Sequence, residues 1–284
     1  MRKKLIALDM DGTLLSTNDM ISDVNAQAIK DAQAADHIVM ICSGRLQDGV
    51  ILKLNEIGLS NLPISGGNGA VISVDGEIIE RSVMNRESSK KLYEWLDTNE
   101  YPFVMCTVQG NYGSDLLFER ETYEYSTNAS AYKPHATTAT NKEEHQKIFK
   151  HIIIEDFNDV PENVGILKFY LMTPNKEKKD AAQKFARDVG DLTVTSSFES
   201  NIEISDINAN KGIGLKRVAS YFNIPMEDTV AIGDNYNDSE MFDVAGFAVA
   251  MGNAAEGIKK ITDAITLSND ENGVAHAITQ YVLG

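Results

Sequence analysis

A short apolar run near the start of the chain ends in two carboxylates, and this feature constrains the fold more than any other. Residues 5–8 have the length and hydrophobicity of a buried strand, and Asp9 and Asp11 follow, with Gly12 and Thr13 next. Two acids at positions i and i+2 just past a strand can both turn toward one site, and the glycine permits the backbone turn. Their mutual repulsion is costly unless a cation or a phosphoryl group lies there. The stretch therefore predicts a strand that ends at a functional site.

The order of apolar runs predicts an α/β fold with a doubly wound parallel, Rossmann-like core. Strands and helices alternate over residues 1–84, which is typical of a parallel sheet with helices on its faces, and the same alternation returns over 208–284. Residues 85–207 mix strands and helices in an α+β manner, including a predicted helix over 143–154, and indicate an inserted domain. Residues 66–69 predict a turn rather than a phosphate cradle.

Polar residues follow predicted strands or open predicted helices at four places. These places are residues 9–11, 43–45, 211–212 and 233–238. In an open parallel sheet the carboxyl ends of the strands line one crevice, and ligands bind there. Carboxylates are hard oxygen ligands that suit Mg²⁺ beside a phosphate, while a lysine and helix-start amides attract an anion. The four places together predict a site for Mg²⁺ and a phosphate group.

The charge balance limits the partners of the chain. The 42 acidic and 26 basic residues give a net charge of −16, which disfavours nucleic acid and anionic membranes as partners. The two cysteines, Cys42 and Cys106, make no disulfide framework and fit a reducing compartment. The first residues are too short an apolar stretch for a signal peptide, and no run approaches the roughly 18 apolar residues of a membrane span. We therefore expect a cytoplasmic protein with a small-molecule partner, of an oligomeric state that the sequence leaves open.

The motifs also carry a family resemblance. The chain resembles the haloacid dehalogenase superfamily in four ordered motifs: Asp9-Met10-Asp11-Gly12-Thr13, Ser43-Gly44-Arg45, Lys211-Gly212, and Gly233-Asp234 with Asn237-Asp238. Residues 68–70, 250–254 and 272–274 are similar to its Cof-type phosphatases. Four short motifs in order are a far more specific signal than any one of them. The resemblance implies a catalytic core at 1–84 and 208–284, with residues 85–207 as an α/β cap that closes over the crevice.

The resemblance implies an aspartyl-phosphate mechanism with Mg²⁺. Asp9 would be the nucleophile and a metal ligand, and Asp234 a further metal ligand with Asp238 in a supporting position. Asp11 would protonate the leaving oxygen and then deprotonate water, and its backbone carbonyl would also bind the metal. Crowding is expected to favour a protonated Asp11, while metal contact keeps Asp9 and Asp234 ionised. The phosphoryl oxygens would be held by Met10, Ser43, Gly44, Lys211 and Asn237.

Each motif residue also has a purely structural interpretation. Ser43 alone fits the cap of the following helix, Lys211 a surface lysine, and Arg45 a partner of surface acids. A cation is electrostatically misplaced at a helix start, which favours a phosphate role for Lys211. Three further residues fit helix caps: Asp234, Asn237 and Asp238.

Three functions are compatible with the motifs. The favoured one is a Mg²⁺-dependent phosphatase of small phosphorylated metabolites, with sugar phosphates ahead of phosphorylated cofactors such as pyridoxal phosphate or flavin mononucleotide. A phosphomutase would use the same aspartyl phosphate but return the group to its substrate. A phosphate-sensing module would bind without turnover, and an intact set of Asp9, Asp11, Lys211 and Asp234 argues against it.

Overall fold

The apolar run at the start of the chain forms strand β1 (Leu5–Leu8), and all of its residues are buried. It lies between two parallel neighbours, β2 (Ile38–Cys42) and β12 (Thr229–Gly233). A parallel strand with both faces covered consists of a continuous hydrophobic run, because no face of it meets water. The predicted strand is therefore central to a parallel sheet.

The computed structural model describes residues 2–113, 151–173, 175–196 and 201–284. The chain divides into two compact units, of which the first comprises Met1–Ser82 and Asn208–Gly284 and the second Val83–Ile207. The assignment of the first unit as a catalytic core and of the second as a cap for substrate specificity stays a prediction.

The first unit is a doubly wound α/β structure, as the sequence predicted. Its other strands are β3 (Ile64–Gly66), β4 (Val71–Val74), β5 (Glu77–Arg81), β13 (Phe247–Ala250) and β14 (Ala264–Ile265). The eight strands lie in the order β14-β13-β12-β1-β2-β3-β4-β5. Neighbours from β14 to β3 run parallel, and β4 is antiparallel to both β3 and β5.

The helices of the first unit pack on this sheet through apolar faces. They are α1 (Asp23–Ala34), α2 (Gln47–Glu56), α5 (Lys211–Tyr221), α6 (Ser239–Val244), α7 (Glu256–Lys259) and α8 (Gly273–Ile278). Ile29, Val218 and Ile278 belong to the same buried cluster as strand β1. Helix α1 begins after Ser22, whose side chain caps it by accepting a hydrogen bond from the Asn25 N–H at 3.1 Å.

The second unit contains a separate sheet with two described helices. Its strands are β6 (Phe103–Thr107), β7 (Gly110–Gly113), β8 (His151–Ile153), β9 (Ile166–Met172), β10 (Leu192–Thr195) and β11 (Asn201–Asp206), in the order β10-β11-β9-β6-β7-β8. Helices α3 (Arg86–Thr98) and α4 (Lys176–Val189) contribute Leu92 and Ala182 to a second apolar core.

One predicted element is wrong where the structure can test it. A helix was predicted over 143–154, and its part up to position 150 lies outside the described residues. Of the remainder, His151–Ile153 forms strand β8 instead of a helix. This strand pairs in parallel with β7. Its two adjacent isoleucines favour an extended strand once a neighbouring strand offers hydrogen bonds.

Among the helices of the described ranges, none combines the length and the apolar character needed to cross a lipid bilayer.

Candidate active site

The candidate site forms at the carboxyl edge of the parallel sheet. Leu8 is in register with Ile41 of β2 and with Ile232 of β12. The residues that follow the three strands therefore leave the sheet at one edge. The backbone N–H of Asp9 continues the pairing, since it donates to the carbonyl of Ile232 at 2.9 Å. Register thus brings the motif after β1 beside the motifs after β2 and β12.

Lys211 is completely buried between two carboxylates. Its Nζ lies 2.5 Å from Asp9 Oδ1 and 2.5 Å from Asp238 Oδ1, and its side chain has 0% exposure. It is the first residue of α5, and the Asn210 side chain caps this helix by accepting from the Ile213 N–H at 2.8 Å. A buried ammonium needs compensating charge, which the two carboxylates supply. The surface-lysine interpretation of the sequence is therefore wrong.

Asp238 connects this cluster to the backbone after β12. Its Oδ2 accepts hydrogen bonds from the N–H groups of Asp234 and Asn235, at 2.9 and 3.0 Å. Both of its carboxylate oxygens are thus engaged, one by Lys211 and one by the backbone. Asp238 serves as a turn cap and as an ion-pair partner at once, so the structural and functional interpretations of this residue are compatible.

Asp234 is held by residues of the first motif. Its Oδ1 accepts a hydrogen bond from Thr13 Oγ1 at 2.8 Å. Gly12 has φ +79°, and a Cβ at that position would lie 2.5 Å from Asp234 Oδ2. Asn253 Nδ2 donates to the Gly12 carbonyl at 2.8 Å. Sequence analysis gave Thr13 and Asn253 no role, and their only signal was membership of the quoted motifs.

Burial and crowding raise the pKa values of the clustered acids. Burial raises the pKa of Asp9 well above its ordinary value, and the charges of Asp238 and Asp234 add to this against the lowering effect of Lys211. Burial and the charge of Asp238 raise the pKa of Asp234 to about 6. Burial alone would lower the pKa of Lys211, but Asp238 and Asp9 raise it above its usual range. The cluster therefore holds more negative charge than one lysine neutralises.

These acids fit a hard divalent cation. One carboxylate oxygen from each of Asp9, Asp234 and Asp238 lies within 4.8 Å of the others, the only such group among the residues that the structure describes. Asp238 has both oxygens engaged, whereas Lys211 and Thr13 occupy one oxygen of Asp9 and one of Asp234. The remaining oxygens of Asp9 and Asp234 suit an ion such as Mg²⁺, which takes one or two carboxylates with substrate phosphate and water.

Asp11 lies outside this acidic cluster and pairs with Arg45. Arg45 Nε donates to Asp11 Oδ2 at 2.9 Å, and a terminal guanidinium nitrogen lies 2.5 Å from Asp11 Oδ1. The crowding that the sequence predicted for Asp11 therefore falls on Asp9 and Asp234 instead. Arg45 and Asp11 are 34 positions apart in the sequence, so no local pattern predicted their contact.

The remaining predicted phosphate-binding residues follow strands β1, β2 and β12. Ser43 is buried, and its Oγ accepts from the Arg45 N–H at 3.1 Å, while helix α2 begins after Leu46 without a side-chain cap. Ser43 therefore does not cap that helix. Met10 and Ser43 are buried two residues beyond the register pair of Leu8 and Ile41, and Asn237 is 7% exposed in the short 3₁₀ turn Tyr236–Asp238.

A doubly wound sheet with a lysine–carboxylate cluster at the carboxyl ends of its strands is typical of α/β enzymes, whose ligands bind at that edge. Residues 6–278 match the haloacid dehalogenase-like hydrolase family, and the chain belongs to that family.

Two relatives that are named as phosphatases match the chain over nearly their whole length. The chain is 36% identical to phosphatase YwpJ of Bacillus subtilis over 96% of its own length and 98% of that protein. It is 33% identical to 5-amino-6-(5-phospho-D-ribitylamino)uracil phosphatase YwtE of the same organism, over 99% of both chains. A solved haloacid dehalogenase-like hydrolase of B. subtilis superposes with a TM-score of 0.83 at 32% identity, over 98% of this chain and 100% of the other. The protein is a phosphatase of this family, which confirms the resemblance found in its motifs.

Proposed function

We propose that the protein is a Mg²⁺-dependent phosphatase of small phosphorylated metabolites that acts through a phosphorylated Asp9. The observation that carries this proposal is the buried cluster in which Lys211 holds Asp9 beside Asp234 and Asp238. A module that only senses phosphate gains nothing from carboxylates at its centre, because they repel the anion. A nucleophile and its metal ligands, in contrast, require them.

The proposed reaction uses two acids in different surroundings. A carboxylate oxygen of Asp9 attacks phosphorus, the ester P–O bond breaks, and the leaving oxygen takes a proton from Asp11. Water then attacks the same phosphorus and gives a proton to Asp11, and the bond between Asp9 and phosphorus breaks to release phosphate. The separate environments of Asp9 and Asp11 suit these separate tasks.

Several donors at the sheet edge support binding of the phosphoryl group. Lys211 has three N–H donors and uses two of them on Asp9 and Asp238, which leaves one for a phosphoryl oxygen. The hydroxyl hydrogen of Ser43, the amides of Met10 and Gly44, and the Asn237 side chain are the other proposed donors. Mg²⁺ held by Asp9, Asp234 and the Asp11 carbonyl would neutralise charge on the phosphate and on the carboxylates.

The proposed substrates are phosphate monoesters of small molecules, with sugar phosphates and phosphorylated cofactors or their precursors first. Support comes from the relative YwtE, whose name gives a ribityl phosphate as its substrate. The net charge of −16 supports the absence of nucleic acid and of anionic membrane as partners, and a cytoplasmic location remains part of this proposal.

The decisive experiment is phosphate release from p-nitrophenyl phosphate with and without Mg²⁺. We expect turnover only with the metal, and a loss of at least about 10³-fold in Asp9→Asn, because an amide cannot attack phosphorus. Asp36→Asn is the matched control, since Asp36 pairs with Lys3 at the surface, where its side chain is 83% exposed. Turnover by Asp9→Asn near that of the control would exclude the covalent route.

A screen of phosphorylated metabolites by kcat/KM would then identify the substrate. Release of inorganic phosphate supports a phosphatase, whereas isomerisation of a sugar phosphate without phosphate release would identify a phosphomutase.

A further inference from the structure

Arg45 forms a two-point contact with the predicted acid/base residue. Its Nε donates to Asp11 Oδ2 at 2.9 Å, and a terminal nitrogen lies 2.5 Å from Asp11 Oδ1. A planar guanidinium that contacts both oxygens fixes the rotation of the carboxyl group as well as its distance. Sequence analysis offered acids at the surface as partners of Arg45, and the structure identifies one of these partly exposed acids as Asp11 of the first motif.

A second carboxylate, that of Asp19, also accepts a hydrogen bond from Arg45. The same terminal nitrogen of Arg45 donates to Asp19 Oδ1 at 2.9 Å. Lys53 of helix α2 lies 2.8 Å from Asp19 Oδ2 and donates to the Asp19 carbonyl at 2.8 Å. Asp19 has φ +59°, a left-handed conformation that a non-glycine residue adopts at some cost. Asp19, in the loop after the first motif, thus holds Arg45, and Lys53 of helix α2 holds Asp19.

The exposure of these groups indicates that stability is not their main effect. The side chains of Arg45 and Asp11 are 27% and 38% exposed. An ion pair that is partly open to water contributes little to folding, so the Arg45–Asp11 pair is better explained by the orientation that it imposes on the Asp11 carboxyl group.

We propose that Arg45 is a positioning residue that fixes the orientation of the Asp11 carboxyl group, and that Asp19 and Lys53 fix Arg45 in turn. This inference rests on the proposed function, in which Asp11 exchanges a proton with the leaving oxygen and with water. Each carboxylate oxygen has a second lone pair, so the contact with Arg45 leaves Asp11 able to take a proton. Arg45 acts through Asp11, and therefore affects turnover rather than binding of the phosphoryl group.

The test compares Arg45→Gln and Arg45→Lys with the unchanged protein on an alkyl phosphate and on p-nitrophenyl phosphate. We expect Arg45→Gln to lower kcat about ten- to hundred-fold on the alkyl phosphate, because a misplaced acid costs that much, and less on p-nitrophenyl phosphate, whose leaving group needs little protonation. KM and the inhibition constant of vanadate should change by less than about two-fold. Arg45→Lys should recover part of the loss, since one ammonium can still contact one oxygen.

Arg217→Gln is the matched control, because Arg217 pairs with Glu80 at 3.0 Å in the same unit. It should leave kcat unchanged. Asp19→Asn removes one anchor of Arg45 and should give a smaller loss with the same dependence on leaving group. It also supplies the test if Arg45→Gln fails to fold, which a thermal unfolding scan would reveal.

A double-mutant cycle separates positioning from a general structural effect. If Arg45 acts through Asp11, Arg45→Gln should cause no further loss of p-nitrophenyl phosphate turnover in an Asp11→Asn background. Additive losses would overturn the proposal, and so would weaker vanadate inhibition with unchanged kcat, which would make Arg45 a phosphate ligand. Failure of the proposed function looks different, because the unchanged protein would then lack turnover or Asp9→Asn would retain it.

Discussion

At the residue scale, the site depends on charges that are buried together. Lys211 has no exposed surface, and its two carboxylate partners, Asp9 and Asp238, come from different segments of the chain. Removing one member of such a group leaves the others buried without compensation, which costs far more than the group itself contributes to folding. Residues that look like catalytic machinery are here also part of the core of the first unit.

Lys211→Met should therefore lower stability as well as activity. We expect the free energy of unfolding at pH 7 to fall by about 3–5 kcal/mol, because Asp9 and Asp238 lose their cation. Urea denaturation measures this loss, and vanadate inhibition should weaken in parallel. Lys3→Met is the control, since the exposed pair of Lys3 with Asp36 contributes roughly 0–1 kcal/mol. Equal stability of the two variants would contradict a buried ion cluster.

His37 should make the stability of the protein depend on pH. Burial lowers the pKa of His37 from its ordinary value of 6.5, and the charge of Lys4 adds to this. The Nδ1 atom of His37 accepts from the Lys4 N–H at 3.1 Å, and its Nε2 is buried without a partner among the described residues. The unfolded chain binds the proton more readily, so this contribution is complete above pH 6.5 and is lost as the pH falls from there through the lowered pKa of His37 in the folded state.

Chemical denaturation between pH 5 and pH 8 checks this expectation. The decrease in unfolding free energy on acidification should be smaller in His37→Asn, which keeps an acceptor but cannot titrate. An identical pH dependence in both proteins would exclude His37 as its source.

At the element scale, the turn at residues 66–69 fixes the start of helix α5. In this turn, the Asn68 N–H donates a hydrogen bond to the Ser43 carbonyl at 2.9 Å. This amide is used within the fold, as expected for a turn rather than a phosphate cradle. Gly69 has φ +92°, and a Cβ at that position would lie 2.3 Å from the carbonyl oxygen of Asn210. Because Asn210 caps the helix that begins with Lys211, this close approach determines where the lysine lies.

Gly69→Ala should disturb both folding and catalysis. The added methyl group forces the Asn210 backbone to move, so we expect a loss of stability of about 2–4 kcal/mol and a lower kcat on p-nitrophenyl phosphate. Gly76→Ala is the control, since Gly76 also has a positive φ of +81° but a Cβ there would contact nothing within 4 Å. It should cost only about 1–2 kcal/mol and leave kcat unchanged. Similar kcat values for the two variants would show that Gly69 does not position Lys211.

At the scale of the whole molecule, the acidic cluster should couple folding to the binding of a cation, because its three carboxylates, those of Asp9, Asp234 and Asp238, face a single lysine. The pKa values of Asp9 and Asp234 are raised first by burial and then by the charge of Asp238, against the lowering effect of the single lysine. A ligand that binds only the folded state stabilises it by mass action, by about 2.7 kcal/mol at a concentration 100 times its Kd.

Saturating Mg²⁺ should accordingly raise the unfolding temperature, and a chelator should reverse the rise. Asp234→Asn removes one proposed metal ligand and should respond much less, whereas Asp36→Asn should respond like the unchanged protein. Calorimetry across a range of Mg²⁺ concentrations measures the effect. An equal response of Asp234→Asn and Asp36→Asn would exclude Asp234 as a ligand.

Local pattern was sufficient for most elements of the fold. The apolar run at β1, the Ser22 cap of α1 and the strands on either side of the insertion follow from hydrophobic periodicity and cap chemistry, which act over a few residues. The strand at His151–Ile153 was missed because its extended form depends on pairing with β7, a contact that the local pattern does not contain.

The sequence by itself determined the identity of the acids, the lysine and the hydroxyl, and their place at the ends of strands or the starts of helices. Only the tertiary structure decided their partners. Lys211 contacts Asp9 across 202 positions, and Thr13 contacts Asp234 across 221. Such contacts are set by strand register and helix packing, which bring distant segments within hydrogen-bonding distance. For the same reason Arg45 proved to be a partner of Asp11, while the crowding of charge fell on Asp9 and Asp234.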